Sequence, residues 1–160
     1  MNLIPVIIGN GKVEKNDNIK IEEKTFKEFG LTEHDVEEFI KNNAEEVFED
    51  ENLFIVGQQV KNTSRGITDL IAIDENGNIV LIEVKRDLDD IKRRREKFEY
   101  QAIRYAASLA NISTPIDLVD KIFSKYIEAN KSKFDLGELT AREKGLRIIE
   151  KFLAANKAEK

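Results

Sequence analysis

The sequence predicts a mixed α/β domain: a helix, an antiparallel β-meander, a second helix, and further helices added at the C-terminal end. Three observations predict it. Residues 31–48 and 89–110 carry apolar side chains at helical spacing. Residues 53–85 hold three β-rich runs broken by turn residues. Residues 115–130 and 141–155 then return to helical spacing. A chain of 160 residues suits one domain with a buried core. We expect an N-terminal extension over 1–30, the main domain over 31–135, and a C-terminal helix and tail over 136–160.

Taken in order, Leu3–Ile8 is a short apolar run before Gly9-Asn10-Gly11 and Lys12-Val13-Glu14. It reads as a small hairpin or an edge strand, with Pro5 limiting it to an edge. The first long helix has Thr32 as N-cap and Asp35 three positions on, close to a capping box. Leu31 and Val36 stand where a hydrophobic staple would, and Val36, Phe39, Ile40 and Val47 mark the inner stripe. Glu33 continues that stripe into the first turn, so it is expected to face the interior. Glu37, one turn on, is the reserve. A first-turn glutamate that favours the helix dipole is the ordinary alternative.

Residues 53–60 form the first strand, bent or bulged at Gly57. Asn62–Gly66 is a turn, and its Arg65 is placed either for a phosphate or for solvent. Two further runs, Ile67–Ile73 and Ile79–Lys85, flank Asp74-Glu75-Asn76-Gly77-Asn78, a hairpin signal. Asp69 lies near the start of the first run, and Glu83 and Lys85 share a face at the end of the second. A two-residue Asn76-Gly77 turn would set Asp69 opposite Val84. A three-residue Glu75-Asn76-Gly77 loop, with Gly77 left-handed, or a bulge would set Asp69 opposite Glu83. We expect the latter, since only then do two carboxylates and an ammonium converge. Such a group suits an oxygen-seeking divalent cation, Mg²⁺ or Mn²⁺, with a lysine to meet developing negative charge.

The pattern of Asp69, then Glu83-Val84-Lys85, resembles the signature of the PD-(D/E)xK nuclease superfamily. Thr68 stands where the signature has proline. The resemblance implies that Asp69 and Glu83 bind the metal and Lys85 assists phosphodiester cleavage. A second match follows on the next helix, where Gln101 and Tyr105 lie four apart and project side by side. RecB-like and NucS-like members carry a Gln-x-x-x-Tyr pair there, implied to orient the lysine, water or phosphate. NucS-like members also place an acid ahead of the first strand, in a stretch similar to Glu33–Ile40, which makes Glu33 the implied third metal carboxylate. The fold implied is a restriction-endonuclease-like α/β core, and the activity a Mg²⁺- or Mn²⁺-dependent deoxyribonuclease.

On the same helix, Asp89 or Asp90 could serve as cap, and Ile91, Arg95, Phe98, Ala102, Tyr105, Ala106 and Leu109 trace the inner face. The basic run Lys92-Arg93-Arg94-Arg95 could steer DNA by its backbone, although four consecutive helical positions point in all directions. A fourth strand is expected of the family, but Thr114-Pro115-Ile116-Asp117 reads as N-cap, proline and capping acid. That strand is therefore short, absent, or supplied by the N-terminal segment. The last helix, after Thr140, turns Leu146, Ile149, Phe152 and Leu153 inward.

Composition sets bounds. With 41% hydrophobic and 36% charged residues, the chain is globular with a heavily charged surface. No cysteine is present, which excludes disulfides, thiol catalysis and Cys-type zinc sites, and one histidine, His34, cannot build a His-rich site. No apolar run approaches the roughly 20 residues of a membrane span, and no signal peptide is visible. A cytoplasmic protein with no membrane partner is expected. The net charge of −5 does not advertise nucleic-acid binding. Its uneven distribution is compatible with an acidic centre and a basic rim. DNA is the expected partner, a homodimer is left open, and the Lys-rich end would suit a linker to a further domain. Two rivals are a non-catalytic nucleic-acid-binding or structural module and a nuclease acting on RNA.

Overall fold

The structure, a computed structural model, describes residues 6–9, 12–15, 24–61, 66–92 and 98–158. It is a mixed α/β fold. Strands β1 (Val6–Gly9) and β2 (Lys12–Lys15) pair antiparallel as a hairpin of their own. Strands β3 (Phe54–Lys61), β4 (Ile67–Ile73) and β5 (Ile79–Ile82) form an antiparallel sheet in that order. Among the described residues this sheet has three strands, and the N-terminal hairpin adds none to it.

Helix α1 (Glu33–Asn42) starts where its cap dictates. The Thr32 N–H donates to Asp35 Oδ2 at 2.8 Å, and Thr32 Oγ1 accepts from the Asp35 N–H at 3.3 Å. The helix expected over 31–48 breaks at Asn43, whose side-chain amide donates to the Phe39 carbonyl at 2.7 Å. A single turn, α2 (Ala44–Val47), follows. The expected stripe is corrected as well: Val36 and Glu37 are buried, whereas Phe39 and Val47 are 59% and 41% exposed.

The core lies between the sheet and the C-terminal helices. Helix α5 (Pro115–Leu118), a π-helical turn (Val119–Phe123) and α6 (Ser124–Ala129) run on without a break behind a complete Thr114–Asp117 capping box. Helix α7 (Ala141–Ala158) packs on them. Val119, Phe123, Ile127 and Ile149 are buried, and the Phe123 ring meets Phe54 edge-on at 5.7 Å. Ile116 is exposed. Two glycines set the spacing. A Cβ on Gly57 would lie 2.7 Å from Ile122, and one on Gly145 would lie 3.1–3.3 Å from Val119, Phe123 and Ile127.

The helix expected over 89–110 appears as two described pieces, α3 (Leu88–Lys92) and α4 (Phe98–Leu109). Helix α4 buries Gln101 and Tyr105 against the sheet, while Ile91 and Ala106, expected inward, are exposed. Among the described residues no helix is long and apolar enough to cross a membrane.

Candidate active site

The β4–β5 hairpin sets the geometry. Asp74 and Asn78 close it, with the Asp74 N–H donating to the Asn78 carbonyl at 3.0 Å. Glu75-Asn76-Gly77 is then a three-residue loop, with Gly77 left-handed at φ 84°. The Asp74 carboxylate accepts from the N–H groups of Asn76 and Asn78, both at 2.8 Å. Burial, the largest single influence, pushes its pKa up, but the Asn78 side-chain amide, donating to Oδ2 at 2.8 Å, and these backbone bonds hold it below the ordinary aspartate range. The resulting register pairs Ile73 with Ile79, Ile71 with Leu81 and Leu70 with Ile82. Carried one step further, it sets Asp69 opposite Glu83, as the longer loop requires.

Past the last ladder pair, side chains take over from backbone. Asp69 Oδ2 accepts from the Val84 N–H at 2.8 Å. The Lys85 ammonium sits among three carboxylates: 3.0 Å from Glu83 Oε1, 3.6 Å from Glu33 Oε2 and 3.9 Å from Asp69 Oδ2. It also donates to the Val84 carbonyl. From the other side, Gln101 Nε2 of α4 donates to Glu83 Oε1. The second Glu83 oxygen is buried and has no hydrogen-bond partner among the described residues. Burial, opposed by the Lys85 ammonium and reinforced by the charge of Asp69, holds the Glu83 carboxyl above the ordinary glutamate range.

Strand β3 completes the row. Its pairing with β4 slips by one residue between Ile55 and Gly57, which is the bulge expected at that glycine. Gln58 then pairs with Leu70 and Val60 with Thr68, so Gln59 falls on the rung of Asp69. The Gln59 amide nitrogen lies 2.5 Å from Glu37 Oε2 and 3.4 Å from Asp69 Oδ1. Across the open end of the sheet the order is Glu37, Gln59, Asp69, Lys85, Glu83, Gln101: acid, amide, acid, amine, acid, amide.

Asp69, Glu83, Lys85 and Gln101 are thus together. Glu33 reaches Lys85 but is corrected in one respect. As the first residue of α1 it sits at the rim, with its side chain 48% exposed, and Glu37 faces the interior at 3%. Tyr105 packs on the start of β4, where a Cβ on Gly66 would lie 2.4 Å from its ring, and Arg104 stacks over it at 5.6 Å. With Thr68, Glu83 and Ala102, Tyr105 also lines a cleft of about 370 Å³. Lys92 is exposed at the end of α3. Arg65, Arg93, Arg94 and Arg95 lie outside the described residues. Gln59 is the residue that reading the sequence missed: Gly57 signalled the bulge, but its consequence for the rung of Asp69 went unread.

Among the described residues, no group of three His, Cys, Asp or Glu side chains is gathered as a ready metal cage. Mg²⁺ does not require one, since it commonly takes one or two carboxylates and keeps several waters. Two observations fit a cation here. Asp69 of β4 and Glu83, just past the end of β5, converge on the Lys85 ammonium, and Glu83 Oε2 and Glu37 Oε1 are buried without partners among the described residues. No protein-family model matches the chain, and neither a curated protein nor a solved structure does.

Proposed function

We propose that this chain is a metal-dependent nuclease of the PD-(D/E)xK type with a restriction-endonuclease-like core, hydrolysing phosphodiester bonds of DNA. The observation that carries the reading is the Lys85 ammonium set between the carboxylates of Asp69 and Glu83, one step past the last Leu70–Ile82 pair of the hairpin. Asp69 and Glu83 would hold Mg²⁺ or Mn²⁺, with Glu33 or Glu37 beside them. The cation, when bound, acidifies a water and offsets charge on the phosphate. Lys85 supplies the positive charge of the site and would meet negative charge as it builds on a phosphate oxygen. Gln101 fixes one oxygen of Glu83 and leaves the other for a ligand.

The test is a cleavage assay on single-stranded, duplex and branched DNA, and on RNA, with Mg²⁺ or Mn²⁺, beside Asp69→Ala and Lys85→Ala. Cation-dependent cleavage lost in Asp69→Ala is the expected result. Undiminished cleavage in that variant would sink the assignment. One observation favours the rival of a non-catalytic module: Lys85 is already ion-paired with the acids and offsets part of their charge without a metal. Calorimetric titration separates the two, because a module of that kind would take up no Mn²⁺ through Asp69 and Glu83.

A further inference from the structure

We propose that Gln59 is a positioning residue, whose side-chain amide clamps Asp69 to the buried Glu37 and so sets the carboxylate that receives the cation. The inference rests on the nuclease reading of the site, and three features of β3 carry it. The first is the bulge. Without the one-residue slip between Ile55 and Gly57, the register of Phe54 with Ile73 and Ile55 with Ala72 would put Gln58, not Gln59, opposite Asp69. Bulges are a means by which strands re-aim a side chain near a site.

The second feature is the backbone of Gln59, which is left-handed at φ 50°, the one non-glycine with positive φ among the described residues. An L-residue in that conformation is strained, and such strain gathers where function demands it. It also breaks the strand's alternation. Successive residues of a regular strand point to opposite faces, yet Gln58 bonds Glu38 and Lys41 while Gln59 bonds Glu37, all on α1.

The third feature is the partner. Glu37 is 2% exposed, and its Oε1 has no hydrogen-bond partner among the described residues; Gln59 donates to its other oxygen, Oε2, which also lies 3.8 Å from the exposed His34 Nδ1. An amide nitrogen has two hydrogens and can serve both carboxylates at once. Asp69 is then held from both sides, by Gln59 on Oδ1 and by the Val84 N–H on Oδ2.

The experiment compares the wild-type chain with Gln59→Gly and Gln59→Asn. Glycine accepts the left-handed backbone but removes the amide. Asparagine tolerates that backbone but falls one methylene short of both acids. For each, Mn²⁺ binding is measured by calorimetry, kcat and KM on DNA are measured separately, and the thermal midpoint is recorded. We expect both variants to fold, with the midpoint of Gln59→Gly equal to or above wild type. Mn²⁺ affinity and kcat should fall roughly 10- to 100-fold in both, as for residues that orient metal ligands, with KM for DNA little changed. Unchanged Mn²⁺ affinity and kcat in either folded variant would overturn the clamp while leaving the nuclease reading intact. A wild-type chain that takes up no Mn²⁺ and cuts nothing would overturn both.

Discussion

One face of the central sheet has two ends that differ in kind. Near the hairpin loop its rungs are Phe54–Ile73–Ile79 and Gly57–Ile71–Leu81, packed under the π-helical turn, α6 and α7. One rung further, the same face presents Gln59, Asp69 and Glu83. The strands do not change direction between the two ends. The change is in what covers them: apolar helices at one end, and at the other a capped helix carrying Glu33 and Glu37 and a second helix carrying Gln101. The aliphatic end fixes the register, which brings the charged end together at a cost in stability that burying acids always carries. Stability and chemistry are divided along a few ångströms of β-strand.

The comparison can be broken at either end. The largest effect is expected from Asp69→Asn, which keeps the shape and removes the charge. Cation-dependent cleavage should fall on the order of 10³-fold or more, read by initial rates, with the unfolding midpoint little moved. At the opposite end, Phe123→Ala should cost about 3–5 kcal/mol in denaturant unfolding, because its fully buried ring leaves a cavity against Phe54, Phe134 and Tyr126.

Next in size is Glu83→Gln. The folded pKa of Glu83 is raised above its ordinary 4.5. Its contribution therefore favours folding below that value and is lost as pH rises through the raised folded value. The glutamine variant stays neutral throughout, so it should unfold at a higher temperature than wild type at pH 7. That difference should vanish at pH values below the ordinary glutamate pKa, while the variant cuts no DNA. Because the carboxylate must be deprotonated to take a cation, Mn²⁺ binding to the wild type should weaken as pH falls through the raised Glu83 value, above the ordinary 4.5, when the cation is limiting. The smallest effect is Thr114→Ala. It removes a cap far from the acids and should cost about 1 kcal/mol with unchanged cleavage per folded molecule.

Much of the polar end was legible because its determinants are local. A three-residue loop with a left-handed Gly77, one of two registers the turn residues allow, points Asp69 toward Glu83, although the strand expected over Ile79–Lys85 ends at Ile82, short of Glu83 and Lys85. Thr32-x-x-Asp35 and Thr114-x-x-Asp117 announced where two helices begin, and both close as capping boxes. The inward face of α1 was not legible. Phe39 kept the apolar spacing yet points to solvent, and Glu37, held in reserve behind Glu33, is the acid that is buried.

By itself, then, the sequence determined the hairpin, the two registers open to it, and the helix starts at Thr32, Thr114 and Thr140, because each depends on turn length or on a hydrogen bond spanning three residues. Tertiary structure decided which acid of α1 goes inside, how α4 turns Gln101 onto Glu83, and that Gln59 shares a rung with Asp69. Those outcomes depend on how whole elements rotate against the sheet, and on one inserted residue whose effect is felt several positions downstream. Hydrophobic spacing constrains such rotation only loosely when the face to be buried is itself charged.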